Sequence, residues 1–548
     1  MSPLLTHLTN LEDATSRFPS RVAFKIPQVN PQTDEIDYWT DITFQQFLLD
    51  IEHLARYWFH VLKESNGIPQ SLRGYKYIDV VHVYAISRAG YIPQLINIFP
   101  NADYGVIQGP LEQANTRAFI YEPVYNDTVH DIPQIPCFTS VTVVHPNDYP
   151  LPDLPHVTGS DIAIIYQTSG TTSGKSNIVP CNYAWLDGCV RKMTRACSDS
   201  GMVDIVSWRG STGYMAQFRA LIGIIYRTSC MVQYKSGWPS TSEIVDIINR
   251  CQTKQLFSHP RLLQGHIRAS RTDPETLRAL SSVDVITYTG GGLGSDEDEE
   301  WAWRNGINLV NAYGLTECGE LLRSEGLRKS RQNYLKRLPG PTLIKFIPIS
   351  NDSDLLELVV PPEAPECPHV SFRSSDGNYH TNDLFREVEP GSYVFCGRND
   401  DWFNMLICKL CDTKAIEDNA RSLCGDIISD CVVVGNGRLS PVLVVEACSP
   451  LSHSTVSPAL NKSELKTEIY HRIRPFHSTR YPHERIASMD MIFVVSSGTL
   501  PRTVTKATVR RKVVEETMKE KLDKLFSGIR VRAATSKGAS GERGEGPR

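Results

Sequence analysis

The sequence predicts an α/β protein whose large N-terminal part is built on mostly parallel sheets covered by helices. Short apolar, β-branched runs of strand length recur at 162–166, 283–288 and 307–311. Stretches with helical spacing separate the runs, the alternation that favours parallel strands joined by crossover helices. The chain has 548 residues, more than one ordinary core accommodates, so two or more domains are expected.

Hydrophobic residues make up 41% and charged residues 22%, a globular balance. A net charge of −4 argues against broad nucleic-acid binding and leaves any phosphate contacts to local groups. The first residues, MSPLLTHLTNLEDATSRFPSR, lack a basic stretch followed by an apolar core, so no secretory leader is expected. No apolar run reaches the roughly 18 residues of a membrane span. The expected location is cytoplasmic. The 14 cysteines are scattered, as reduced thiols would be. Cys408 and Cys411 form a Cys-x-x-Cys, but Cys424 and Cys431 follow at the wrong spacing for a zinc ribbon, so core thiols are expected.

Thr43-Phe44-Gln45-Gln46 has the form of a capping box. Phe44, Phe47, Leu48, Ile51, Leu54, Ala55 and Trp58 then follow at helical spacing, predicting a long amphipathic helix. Residues 77–93 read as a buried strand followed by a helix, and 117–121 as a short strand. Residues 122–160, rich in proline, aspartate and asparagine, read as loop. Residues 203–207 and 221–226 suit a buried strand or short helix. Ser240-Thr241-Ser242-Glu243 caps a helix through Ile248, and Gln255-Leu256-Phe257 is the next strand. The 283–288 strand ends in Gly290-Gly291-Gly292 and precedes an acidic helix at 296–303 and the 307–311 strand. The polar, glycine-rich residues 535–548 are expected to be disordered.

Parallel sheets bind ligands at the carboxyl ends of their strands, and the chemical signals fall at such ends. After the 162–166 run come Thr168, Ser169, Gly170, Thr171, Thr172, Ser173, Gly174 and Lys175. Small hydroxyl residues and glycines leave backbone N–H groups open and Lys175 adds charge, the ingredients of an anion-binding loop. A P-loop needs four residues between its first glycine and Gly-Lys, but Gly170 and Gly174 enclose three, and Pro180 opposes the helix a P-loop opens.

From Tyr166 to Thr172 the loop resembles the Thr-Ser-Gly-Thr-Thr-Gly loop of the adenylate-forming superfamily: acyl-CoA synthetases, adenylation domains of peptide synthetases, and luciferases. Asn311-Ala312-Tyr313-Gly314-Leu315-Thr316-Glu317 resembles its Tyr-Gly-x-Thr-Glu motif, and Gly290-Gly291-Gly292 its adenine turn. Tyr379-His380-Thr381-Asn382-Asp383 is similar to Tyr-x-Thr-Gly-Asp, and Gly397-Arg398-Asn399-Asp400-Asp401 to Gly-Arg-x-Asp-Asp. Residues 411–419 resemble fungal synthetase-like adenylation domains, and 500–510 the terminal Leu-Pro-Arg-Thr motif with its lysine.

The resemblance implies a division into an adenylation domain at 1–396, a small mobile α+β lid at 397–534 turning on hinge residue Asp400, and a tail. It implies that Thr168, Ser169, Gly170, Thr171, Thr172 and Lys175 grip the outer phosphates of ATP. Gly290, Gly291, Gly292 and Tyr313 would face adenine, Gly314 would belong to the same nucleotide site, Asp383 would meet the ribose hydroxyls, and Arg398 the nucleotide. Thr316 would meet the α-phosphate, Glu317 would hold Mg²⁺, and Lys506 would approach the substrate carboxylate. The implied activity is formation of an acyl-adenylate with release of pyrophosphate, then transfer to coenzyme A or a separate carrier protein.

The sequence departs from the pattern at the shortened Ser173-Gly174, at Asn382 and Ala507 for glycine, and at Asn404 for lysine. These departures motivate the alternative of a non-catalytic nucleotide- or adenylate-binding scaffold. A P-loop NTPase is a more distant alternative. Residues 207–213 lack the aspartate that amino-acid-activating members use, which favours a non-amino acid such as an aryl or keto acid.

Overall fold

The computed structural model describes residues 4–63, 68–72, 76–96, 105–129, 135–141, 149–167, 178–196, 205–208, 212–293, 296–327, 330, 333–339, 343–350, 353–399, 402–405, 410–448, 461–480, 482–503 and 508–527. The chain folds into two compact units, Met1–Thr381 with Phe385–Phe395, and Asn382–Leu384 with Cys396–Arg548.

A sheet of 13 described strands dominates the first unit. It runs parallel from Val22–Val29 through Cys230–Gln233, Ile205–Trp208, Gln255–Ser258 and Val285–Thr289 to Leu309–Leu315. Beyond that point it turns antiparallel through Gly319–Ser324 and Leu335–Arg337. A second, six-stranded sheet holds Ile162–Gln167 between the parallel Gln94–Ile96 and the antiparallel Ile178–Asn182. The loop after Ile162–Gln167 thus leads into a strand containing Pro180, not a helix, which removes the P-loop reading.

The predicted helix after Thr43 spans Phe44–Leu62 and buries Phe44, Phe47, Ile51, Leu54, Ala55 and Trp58. Thr43 accepts from the Gln46 N–H at 3.1 Å, but the Gln46 side chain donates forward to Asp50, so only half of the capping box forms. Residues 77–88 differ from expectation: the expected strand-then-helix is a single helix, Tyr77–Arg88, and the strand ahead of it is Ile68–Leu72. Nearly all of the helix's residues are buried, so the run carries no polar face to mark its period. Asp79 settles the choice locally by accepting from the Lys76 N–H at 2.7 Å at the helix start. The ambiguous 203–207 and 221–226 segments resolve as the strand Ile205–Trp208 and the helix Met215–Tyr226. Within 122–160 the described residues include the short strand Cys137–Thr139.

The second unit has its own core. Ile428–Val434, Val442–Ala447 and Ile492–Val495 form a three-stranded sheet that packs with helices Thr413–Cys424, Lys462–Thr479 and Arg511–Thr517. Cys411, Cys424 and Cys431 are buried in that core, where loss of water pushes the Cys411 thiol to about 12 and the Cys424 thiol to about 11. Cys408 and the 535–548 tail lie outside the described residues. Among the described residues no helix is long and apolar enough to cross a membrane.

Candidate active site

The parallel pairing among three neighbouring strands of the large sheet stops at one level. Ser258 stands opposite Tyr288, and Thr289 opposite Ala312. His259, Gly290 and Tyr313 are the residues that follow, so this edge gathers the glycine turn and the Tyr-Gly-x-Thr-Glu segment. The expected 307–311 strand in fact runs on to Leu315, carrying Tyr313 and Gly314 within it.

Gly290 takes φ +97°, and a Cβ there would stand 3.0 Å from the Tyr214 hydroxyl and 3.5 Å from the His259 ring. Next to it, Gly291 has nothing within 4 Å of where a side chain would begin, leaving backbone open to a flat ligand. Gly314 is required for another reason. It pairs with Glu320 across the hairpin, and a Cβ would come within 2.8 Å of the Glu320 Cα.

Thr316, Glu317 and Cys318 make the turn of that hairpin, between Leu309–Leu315 and Gly319–Ser324. Thr316 and Glu317 are half-buried and Cys318 is buried, so the turn is anchored at one end and open at the other. The helix Tyr183–Ala196 lies against it. The Trp185 indole N–H donates to the Glu317 carbonyl at 3.1 Å, and Lys192 Nζ to the Glu320 carbonyl at 3.2 Å. Lys192 is also paired with the buried Glu366.

Glu320 lies beneath the turn, between Arg219, which pairs with its Oε2, and Arg323 at 2.6 Å. Burial alone would raise its carboxyl, but the guanidiniums of Arg323 and Arg219 outweigh that and hold it down at about 2. The site edge therefore rests on an ionised, fully buried carboxylate.

In the second unit, Asp383 is buried and Arg398 Nε stands 3.9 Å from its Oδ1. The Tyr379–Asp383 segment is part of the strand Tyr379–Glu389, with Asn382 at φ +56°. Asn382, which stands where the resembled motif has glycine, thus takes a left-handed conformation inside a strand. Of the terminal motif, Arg502 donates to Asp430 at 2.6 Å and to Glu446 at 2.5 Å, while the Leu500 N–H reaches the same Glu446 at 2.9 Å. Thr503 N–H donates to the Thr508 carbonyl at 2.8 Å, closing the neck of the segment that contains Lys506.

The structure thus brings Gly290, Gly291, Gly292, Tyr313, Gly314, Thr316 and Glu317 to one edge of the first unit, and Asp383 near Arg398 in the second. Thr168, Ser169, Gly170, Thr171, Thr172, Lys175, Asp400 and Lys506 lie outside the described residues. Sequence reasoning missed Trp185, Lys192, Tyr214, Arg219, His259 and Glu320. Trp185, Cys189 and Lys192 do recur at helical spacing, but nothing in the sequence tells what that stripe touches.

A family model described as AMP-binding enzyme matches residues 11–338, and one described as AMP-binding enzyme C-terminal domain matches 400–530. The AMP-binding domain-containing enzyme iboA of Amanita muscaria is 30% identical over 525 residues, covering 91% of this chain and 98% of that protein. An anthranilate–CoA ligase of Pseudomonas aeruginosa is 25% identical over 40% of this chain and 44% of its own. Among solved structures, o-succinylbenzoate CoA synthetase of Bacillus subtilis with an acyl-adenylate superposes with a TM-score of 0.70 at 15% identity, over 92% of this chain and 97% of its own. ATP-bound MatB of Rhodopseudomonas palustris gives 0.70 at 15% identity, over 94% of this chain and 100% of its own. At such identity these likenesses establish the fold.

Proposed function

The chain belongs to the AMP-binding enzyme family, and on that premise we propose that it activates a carboxylic acid with ATP, releasing pyrophosphate and forming an acyl-adenylate. The observation that carries this reading is the shared edge of the parallel strands, where the open backbone of Gly291 and the Thr316–Glu317 turn leave adjacent strands.

In this reading the residues work by position and charge. Gly290, Gly291, Gly292 and Tyr313 receive adenine, Gly314 belongs to the same nucleotide site, and the two oxygens of Asp383 accept the paired ribose hydroxyls. Arg398 faces the nucleotide. Thr168, Ser169, Gly170, Thr171, Thr172 and Lys175 hold the outer phosphates, and Thr316 meets the α-phosphate. Glu317 offers a hard oxygen donor on a half-open turn, a fit for Mg²⁺, which when bound offsets phosphate charge. Lys506 stabilises the charge that builds as one anion attacks another. Residues 1–396 act as the adenylation domain and 397–534 as a lid turning at Asp400.

The acid is proposed to be a non-amino acid, aryl or keto, since 207–213 lack an aspartate. The acceptor is proposed to be a thiol, of coenzyme A or of a separate carrier.

ATP–pyrophosphate exchange against a panel of carboxylic acids tests the proposal. Acid-dependent exchange is expected in the wild type, falling by about 100-fold or more in Glu317→Ala and Lys506→Ala. ATP binding without exchange across the panel would replace this reading with a nucleotide-binding scaffold, and ADP as product would refute both.

A further inference from the structure

The Glu317 turn is held from behind by one face of the helix Tyr183–Ala196. Trp185, Cys189 and Lys192 stand at successive turns of that face. Trp185 donates to the carbonyl of Glu317 itself and Lys192 to that of Glu320. Between them, a Cβ at Gly319 would lie 3.2 Å from the Cys189 sulfur and 3.9 Å from the Trp185 ring, so the backbone there packs directly on the helix. Gly319 takes φ +74°, which lets the chain turn back against that face.

Trp185 is buried, and its N–H is a donor that must be matched in a dry environment. The Glu317 carbonyl matches it, which restrains the Glu317–Cys318 peptide plane next to the Cα that carries the Glu317 side chain. The same helix is continuous with the strand Ile178–Asn182, which follows the Ser/Thr/Gly loop in the chain.

We infer that Trp185 is a positioning residue for Glu317: its indole N–H, with Lys192 as the second anchor, sets the orientation in which the Glu317 carboxylate meets a divalent cation bound with ATP. This rests on the nucleotide reading above. The helix acts through the backbone of the turn and touches no substrate itself.

The consequence is specific. Loosening the turn removes the part of ATP affinity that depends on metal and leaves the metal-free part, which other residues carry. Calorimetric titration with ATP, in excess Mg²⁺ and again in EDTA, reads the two parts separately. Trp185→Phe keeps the ring and loses the donor. The ratio of metal-bound to metal-free affinity is expected to fall roughly 3- to 10-fold, the effect of one lost hydrogen bond, with EDTA affinity unchanged within about 2-fold.

Val190→Ala, a buried neighbour on the same helix, serves as the packing control. It is expected to lower the melting temperature and leave the ratio alone. A ratio unchanged in Trp185→Phe, or lowered as much in Val190→Ala, would overturn the inference while the nucleotide reading stood. Wild-type protein that binds no ATP would overturn the nucleotide reading and this inference with it. If Trp185→Phe does not fold, Lys192→Gln reads the same ratio through the second anchor, and an unchanged value there overturns the inference equally.

Discussion

Asn382 sits at φ +56° in the middle of a strand, a conformation that costs most L-residues about 1–2 kcal/mol. Asparagine tolerates it because its short polar side chain relieves the clash that a branched Cβ makes worse. The next residue, Asp383, is buried, so the kink at Asn382 sets how its carboxylate leaves the strand. Asn382→Gly is therefore expected to be the mild substitution, within ~0.5 kcal/mol, and Asn382→Val to cost about 1–2 kcal/mol in urea unfolding. Equal cost from both would mean that the asparagine side chain, not the backbone angle, matters. This position was legible because the surrounding residues mark a glycine slot and asparagine is a common non-glycine occupant of such angles. Trp185 was not legible in the same way: its partner is a backbone carbonyl 132 residues away, and carbonyls leave no mark in a sequence.

At the scale of elements, the hairpin Leu309–Leu315 to Gly319–Ser324 is tied to the helix Met215–Tyr226 by Arg219 and Glu320. Both Glu320 oxygens are engaged by guanidiniums. Glu320→Gln removes the charge and leaves Arg219 and Arg323 facing one another over a neutral amide in a buried space. A loss of ~3 kcal/mol is expected, the usual effect of breaking a buried pair.

The pH dependence has a definite sign. The folded carboxyl is depressed to about 2, below its unfolded value near 4.5. The wild-type advantage is therefore complete above pH 4.5 and is lost as pH falls toward 2. Urea melts from pH 7 downward should show the gap between wild type and Glu320→Gln narrowing over that window. A gap constant with pH would show that packing, not charge, accounts for it. The strands around this hairpin could be read as short apolar, β-branched runs bounded by turn residues, and the helix Thr241–Cys251 from its single buried face. Tyr77–Arg88 could not, since burial on all sides hides the helical period behind an unbroken apolar run.

At the scale of the whole molecule, the described buried apolar residues of the second unit, from Met405 to Phe526, form a hydrophobic cluster of their own. Cooperative unfolding follows shared cores, so two calorimetric transitions are expected instead of one. Arg502 allows the second to be assigned. It bridges Asp430 and the buried Glu446, joining the segment before Lys506 to two strands of the small sheet. Arg502→Met keeps much of the apolar stem and removes both pairings. Because Arg502 is partly open to water, screening reduces the loss to about 1–2 kcal/mol, which for a unit of this size lowers its transition by roughly 3–6 °C. The first unit's transition should not move. If both transitions shift together, the two cores unfold as one cooperative body and the assignment fails. If only the second shifts, the arginine of the Leu-Pro-Arg-Thr motif is a brace of the small unit, and loss of exchange in Lys506→Ala can be compared with Arg502→Met to separate a chemical role for the lysine from the folding of the segment that carries it.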